Sequence, residues 1–139
     1  MTDTSTGAAG VIPSTHADIL GKKGFAHVAT IGPNGAPQSS PVWYSWDGEH
    51  LLISQTTGRQ KYRNLSREPR IALSMTDPDN PYRYLEIRGT VVSMDDDPGD
   101  ALINALAKKY LDEDVYPWPQ PGDHRVVVKV RPEHATTMG

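Results

Sequence analysis

The fold depends first on the stretch Phe25-Ala26-His27-Val28-Ala29-Thr30-Ile31, which is followed by Gly32-Pro33-Asn34-Gly35. Apolar residues occupy both alternating sets of positions in the first seven residues, which is typical of a strand with apolar character on both faces. Asn34-Gly35 is a hairpin-turn signal, so a second strand over about Gln38 to Trp46 is predicted to return beside the first. Pro41 lies inside that second strand, which predicts an edge strand or a bulge.

The strand pattern continues along the chain. Asp47-Gly48 turns it into a third strand, His50 to Gln55, so the first three strands are predicted to form an antiparallel meander. Three further strands are predicted over Arg70 to Thr76, Arg83 to Asp95 and His124 to Arg131. Gly89, inside the fifth strand, indicates a bend or a close approach of another backbone.

Short helices are predicted between the strands. The stretch that begins at Arg59 gives about two turns and ends at Glu68-Pro69, because a residue before proline leaves the helical region. Asp97-Pro98 begins a second helix. Six short strands with hairpin turns and a few short helices indicate a mainly β chain, a six-stranded antiparallel barrel. Residues 1–13 are predicted to be a flexible N-terminal tail and residues 14–139 a single domain.

The composition excludes several classes of protein. The chain has 139 residues, a net charge of −3, 37% hydrophobic and 22% charged residues, and no cysteine. These values suit a globular chain and give no general reason to expect nucleic acid. Without cysteine there are no disulfides and no thiolate metal ligands, which fits a cytoplasmic protein. No apolar run approaches the roughly 20 residues that span a bilayer, and the N-terminus lacks the pattern of a signal peptide.

One short segment concentrates positive charge in this acidic chain. Arg59, Lys61 and Arg63 fall within five positions, directly after an apolar run that ends in Thr56-Thr57-Gly58. A strand that opens into a short helix suits an anion, because free N–H groups and the positive end of the helix dipole face it. Arg59 and Lys61 can converge on one anion if Arg59 precedes the helix and Lys61 lies on its first turn. The segment is therefore predicted to bind the phosphate of a nucleotide-like cofactor.

Other interpretations of the same segment stay open. It could be a solvated surface helix that packs Tyr62 and Leu65 inward, and charge alone does not separate the two interpretations. A nucleic-acid patch is disfavoured because the basic run is short. The five histidines lack ligand spacing, so no metal site is expected, and Ser39 and Ser40 lack the G-x-S-x-G elbow of hydrolases. Trp43, Tyr44 and Trp46 could pack in the core or a dimer interface, or line a flat cofactor ring.

An ordered set of motifs gives the chain a family resemblance. The motifs are Val28-Ala29-Thr30-Ile31, Gly35 with Pro37 through Trp43, Ile53-Ser54, Arg59 through Leu65, Glu68-Pro69-Arg70, Asp77-Pro78, Pro81 through Tyr84, and Arg88-Gly89. The chain resembles the pyridoxamine 5'-phosphate oxidase-like split β-barrel superfamily over about Gly24 to Arg131. Within it, the chain is most similar to the branch that uses the deazaflavin coenzyme F420.

The resemblance implies a cofactor site and a partner. By it, Lys61 binds the cofactor phosphate, Arg59 and Arg63 flank this lysine, and Asn64 lies beside them. The implied contacts to the ring and its side chain are Gln38, Ser39, Ser40, Pro41, Val42 and Trp43, with Ser54 and Gln55 at the end of a neighbouring strand. Family members are homodimers with cofactor sites at the interface. Which of Tyr84, Trp118 or His27 reaches across stays open, and no catalytic residue is assigned.

The implied activity is a deazaflavin-dependent reductase. It would transfer a hydride to a small or planar organic acceptor, such as a conjugated carbonyl or a quinone. The alternatives are an FMN-binding oxidoreductase of the same fold and a carrier that binds F420 or flavin without turnover. The C-terminus, Pro132 to Gly139, lacks the basic substrate motif of the oxidase that makes pyridoxal phosphate, so that activity is not expected.

Overall fold

The computed structural model describes residues 8–139, which form seven strands and two α-helices. The strands are β1 (Ala26–Ile31), β2 (Pro37–Val42), β3 (Ser45–Trp46), β4 (Leu51–Thr56), β5 (Arg70–Asp77), β6 (Asn80–Asp96) and β7 (Arg125–Met138), and the helices are α1 (Gln60–Arg67) and α2 (Ala101–Leu111). All strand pairs are antiparallel, in the order β2-β1-β5-β6-β7-β4-β3. The predicted mainly β, antiparallel class is confirmed.

The sheet is split at the point where its two edges approach each other. Edge strands β2 and β3 are joined by Trp43 and Tyr44 alone, and three Cα steps span at most about 11 Å. The sheet must therefore curl into a barrel that hydrogen bonds do not close. The single strand predicted over Gln38 to Trp46 is in fact β2 and β3, which accounts for the seventh strand. Both predicted hairpin pairings form, β1 with β2 and β3 with β4, but the break at Trp43 and Tyr44 places them at opposite edges of the sheet, so they do not make a three-stranded meander.

The core lies inside the curled sheet. Alternate residues of each central strand point into it, among them Val28, Leu73, Ile87 and Val128, all at most 1% exposed. Helix α1 adds Leu65 to the same cluster. The intervening residues of β1 and β5 face outward, because successive side chains of a strand point to opposite faces of the sheet. Pro41 lies on edge strand β2, as predicted for a residue that cannot donate to a ladder.

The end of β7 and the start of α2 differ from the sequence prediction. Strand β7 continues to Met138 rather than ending at Arg131, because Pro132, which has no N–H to donate, falls opposite Gly89 where the register shifts. Helix α2 begins at Ala101, three residues beyond Pro98, and the Asp97 carboxylate accepts hydrogen bonds from the first two N–H groups of α2.

The predicted tail, residues 1–13, falls partly outside the described residues, which begin at position 8. Ala8–Val11 form a short 3₁₀ helix near β7, and Ile12 is buried with the core. Packed structure therefore begins before the predicted domain boundary at residue 14.

A buried carboxylate ties the β5–β6 turn to the segment before β1. Asp77 accepts hydrogen bonds from the Asp79 backbone N–H at 2.8 Å, from Lys22 Nζ at 2.9 Å and from Arg83 Nη1 at 2.8 Å. These contacts, with the Asp79 N–H contributing most, lower the pKa of Asp77 to about 2. Because this pKa lies below the unfolded value, the carboxylate stabilises the fold fully above about pH 4 and progressively less down to about pH 2.

We expect Asp77→Asn to be less stable than the wild type at pH 7 and to show a flatter loss of stability between pH 4 and pH 2. Thermal melts followed by circular dichroism at several pH values would measure both. Asp79→Asn is the matched control, because the Asp79 side chain is 78% exposed and pairs with the same lysine. An Asp77→Asn variant with the wild-type slope in that window would contradict the assignment.

Candidate functional site

A cleft of about 460 Å³ opens at the split of the barrel. One wall is the end of β2 with the crossing residue Trp43, and the next is the end of β4 with the start of α1. Ile103 and Leu106 of α2 and the loop that follows α2 complete it. Strand β2 is an edge of the sheet and has no hydrogen-bonded neighbour on this side, which leaves the cleft open along it.

Eight of the twelve residues predicted to bind a cofactor line this cleft. They are Ser40, Pro41, Val42, Trp43, Ser54, Gln55, Arg59 and Lys61. The other four, Gln38, Ser39, Arg63 and Asn64, do not border it. The structure therefore brings parts of β2, β4 and the start of α1 together at the cleft. Residues next to them in the sequence, such as Ser39 and Arg63, lie outside it.

Asn64 is fully buried, and its amide is used within the protein. Its Nδ2 donates to Thr30 Oγ1 at 3.0 Å and to Gln38 Oε1 at 3.1 Å, and its Oδ1 accepts from Gln60 Nε2 at 2.7 Å. These bonds dock α1 against β1 and β2. Contact between Asn64 or Gln38 and a cofactor stays a prediction.

Arg63 and Ser39 lie outside the cleft for simple geometric reasons. Arg63 is exposed on α1 and donates to Gly58 O and Gln60 Oε1, both at 3.0 Å. Ser39 is exposed and pairs with Ala29, on the face of β2 opposite to that of Ser40. Their predicted contacts with a cofactor are likewise untested.

Three cations converge on the cleft. Arg59 is the residue before α1 and Lys61 lies on its first turn, which is the arrangement that lets both reach one anion. Arg125, at the start of β7, is the third. None of the three is within 4.0 Å of a carboxylate among residues 8–139, whereas six other lysines and arginines of that region are. The one acidic residue on the wall is Asp123.

The environment of Lys61 is unfavourable for its own charge. Burial lowers the pKa of Lys61, and the nearby positive charge of Arg59 lowers it further. No side chain caps the N-terminus of α1, so its first N–H groups add partial positive charge at the same place. An anion bound here would reverse each of these effects.

Sequence reasoning missed Arg125 as a member of the site. Pairing of β7 with β4 places it opposite Thr56, and its Nη1 donates to Ser54 Oγ at 3.2 Å. Its guanidinium also lies 5.0 Å from the centre of the Tyr116 ring. No local motif marks this residue, because its position depends on which strands pair.

Aromatic rings form the other side of the cleft. Trp43 stacks on Tyr110 with centroids 5.1 Å apart and planes at 9°, and its ring lies 6.0 Å from Tyr116 and 6.5 Å from Trp118. Of the three clustered aromatic residues in the sequence, Tyr44 is fully buried in the core and Trp46 packs against it. Trp43 alone of these three lines the cleft.

The crossing between β2 and β3 is held by α2. Tyr110 Oη accepts from the Tyr44 N–H at 3.3 Å, and Lys109 Nζ donates to Tyr44 O at 2.8 Å. Burial lowers the pKa of Lys109 to about 8. These bonds satisfy backbone groups that the sheet leaves free at the split, and they fix the orientation of Trp43.

Comparison with known proteins identifies the family. The model of the family described as pyridoxamine 5'-phosphate oxidase matches residues 12–139. The chain belongs to this family. One solved structure of the same fold, named F420 reductase, is 41% identical, with a TM-score of 0.83 over 90% of this chain and 98% of that one. A conserved hypothetical protein, Rv2991 from Mycobacterium tuberculosis, is 23% identical with a TM-score of 0.73, covering 92% and 85% of the two chains.

A more distant family member shows the fold alone. It is a putative pyridoxamine 5'-phosphate oxidase from Listeria innocua, 19% identical, with a TM-score of 0.66 over 87% of this chain and 93% of that one. The residues of the cleft fit the phosphate of a flavin or deazaflavin, since three cations without a carboxylate partner in the described region border one space. Within residues 8–139, no cluster of His, Asp or Glu is arranged to hold a metal, and no helix is long and apolar enough to span a bilayer.

Proposed function

We propose that this protein is a reductase that uses the deazaflavin coenzyme F420 and acts on a small or planar organic acceptor, such as a conjugated carbonyl or a quinone. The observation that carries the proposal is the set Arg59, Lys61 and Arg125, which face one cleft without carboxylate partners in the described residues. The 41% identical structure named F420 reductase supports the same cofactor class.

The residues of the cleft have separate roles in this proposal. Lys61 and the N-terminus of α1 hold the phosphate, and Arg59 and Arg125 add charge on either side. Pro41, Val42 and Trp43 provide an apolar wall for the ring. A bound reduced deazaflavin would supply a hydride and a proton, which the acceptor takes up together. The protein orients the ring and keeps water from one face, and no side chain is required to hold the transferred proton.

Charge beyond the phosphate position favours F420 over FMN. Both cofactors carry a phosphate, but F420 also has an acidic oligoglutamate tail. A second groove of about 330 Å³ shares Thr56, Arg59 and Asp123 with the cleft and continues past Gly58 to His124. Arg59 borders both spaces, so it can contact an anionic group that lies outside the phosphate position. An FMN-dependent oxidoreductase is the second candidate, and a carrier without turnover is the third.

Binding of the purified apo-protein to each cofactor tests the choice. We expect F420 to bind more tightly than FMN, measured by the fluorescence of each cofactor at equal ionic strength. Tight FMN binding with no F420 binding would overturn the proposal. Turnover of the reduced cofactor with a panel of quinones and enones then separates an enzyme from a carrier.

We further propose that two copies of the chain associate through the outer face of β1, β2 and β5. The outward residues Ala29, Ala72 and Ser74 are small and lie beside His27 in the sheet, and Arg70, at the start of β5, is the charged residue on this side of the three strands. Phe25, 52% exposed, extends this face to the rim of the cleft. A charge-poor face that reaches the cleft suits an interface that completes it.

A charged substitution on that face tests the dimer. We expect the wild type to be a dimer by light scattering after gel filtration and Ala72→Arg to be largely monomeric, with weaker cofactor binding. Leu111→Arg, at the exposed end of α2, is the control and should leave the mass unchanged. A wild type that is monomeric at micromolar concentration would contradict the proposed interface.

A further inference from the structure

The loop after α2 leaves a large apolar ring at the mouth of the cleft. Trp118 is 56% exposed, although it lines the cleft and touches two other aromatic rings. An exposed aromatic ring inside a concave site offers apolar surface to a bound molecule. No local pattern around Trp118 in the sequence predicts a place for it in this cleft.

The rings are positioned in advance of any ligand. The Tyr116 backbone N–H donates to Asn104 Oδ1 of α2 at 2.9 Å, which anchors the middle of the loop. The Tyr116 ring is perpendicular to both Trp43 and Trp118, at 87° in each case. Trp43 already uses one face to stack on Tyr110, so only its other face is available to the cleft. The backbone of this segment is further restricted by Pro117, Pro119 and Pro121.

The chemistry of this end differs from that of the phosphate end. Its surfaces are aromatic rings, which stack on flat conjugated molecules. The Arg125 guanidinium lies 5.0 Å from the centre of the Tyr116 ring and makes one side-chain hydrogen bond in the described structure, to Ser54. A guanidinium has five N–H donors, so Arg125 can also donate to an oxygen of a bound molecule. A ring that carries a carbonyl oxygen matches both features.

We propose that Tyr116 and Trp118 form the acceptor subsite, that Trp118 is its specificity-determining residue, and that its ligand is an uncharged planar carbonyl compound of the quinone class. The two rings are separate from Lys61, and Arg125 lies between this subsite and the proposed phosphate position. This inference rests on the proposed function, because a bound acceptor matters only where the cleft also holds a hydride donor.

Isothermal titration calorimetry with menadione, a small naphthoquinone, tests the subsite. The sample is the full chain saturated with oxidised cofactor, or the apo-protein if neither cofactor binds. The chain has no cysteine, so thiol addition to the quinone does not interfere. We expect Trp118→Ala to weaken menadione binding about tenfold and to leave cofactor affinity unchanged. Trp118→Phe keeps an aromatic ring and should bind menadione nearly as well as the wild type. Val115→Ala is the matched control, since Val115 is 65% exposed on the same loop and does not line the cleft.

The outcomes separate this inference from the proposed function. Equal menadione affinity in the wild type and Trp118→Ala would overturn the subsite. A loss of cofactor affinity in Trp118→Ala as large as the loss for menadione would also overturn it, because the rings would then hold the cofactor. Failure of both F420 and FMN to bind would overturn the proposed function, while Trp118-dependent menadione binding would still support the subsite.

Discussion

Replacing Lys61 with alanine should weaken cofactor binding by about tenfold to 150-fold, which corresponds to a charge-assisted contact of about 1.5–3 kcal/mol. The loss should be similar for F420 and FMN, because both carry the phosphate that Lys61 is proposed to hold. Burial and the charge of Arg59 lower the pKa of Lys61, and a bound anion raises it again. Wild-type affinity should therefore fall as the pH rises toward that pKa, and Lys61→Ala should lose this part of the pH dependence.

Two controls make the Lys61 result specific. Lys108→Ala removes an exposed lysine that pairs with Asp112 on α2, and it should leave affinity and stability nearly unchanged. Lys61→Arg keeps the charge and should retain most of the affinity. Equilibrium titration followed by cofactor fluorescence measures all of these, with circular dichroism to show that each variant is folded. Unchanged affinity of Lys61→Ala for both cofactors would remove the phosphate role.

Replacing Gly89 with alanine should lower stability by about 3 kcal/mol, near the upper end of the range for overpacking. A Cβ at this position would overlap Arg131 O and lie 3.1 Å from Arg131 C. Both are backbone atoms of the paired strand, so no side-chain rotation relieves the contact. Strands β6 and β7 would have to separate where their register already shifts. The close backbone approach predicted from the sequence at Gly89 is confirmed by this geometry.

Thermal or urea denaturation measures the effect, and a second glycine supplies the control. Gly99 has open space around its Cβ position and an ordinary φ, so Gly99→Ala should change stability by less than about 0.5 kcal/mol. A Gly89→Ala midpoint within error of that control would show that β7 shifts freely past β6. Because β7 also carries Arg125, a partly folded Gly89→Ala should bind cofactor more weakly in proportion to its unfolded fraction.

Local sequence was enough to predict those parts of the site that are close together in the chain. Arg59 and Lys61 face one space because a strand ends at Thr56 and a helix begins at Gln60, and both boundaries follow from residues within a few positions. The same local logic indicated the edge strand at Pro41 and the close approach at Gly89. The family resemblance then connected β2 to this segment, which periodicity alone could not do.

Other features depend on which distant segments meet. Arg125 joins the site because β7 pairs with β4, and Tyr116 and Trp118 join it because α2 fixes the loop that carries them. Asn64 is next to Arg63 in the sequence, but α1 directs its amide inward, where it donates to Thr30 and Gln38. Trp43 and Tyr44 directly follow β2 in the chain, and they carry it from the sheet edge at β2 to the edge at β3. The curled sheet brings those two edges together.

The sequence by itself determined the mainly β class, the order of the strands along the chain and the position of the basic turn before α1. These follow from side-chain periodicity, turn residues and local charge, which act over a few residues. Only the tertiary structure decided that the split of the barrel lies between β2 and β3, that Arg125 and Trp118 share a cleft with Lys61, and that Asn64 does not border it. Those features arise from strand pairing and helix docking between segments far apart in the chain, and no local pattern encodes them.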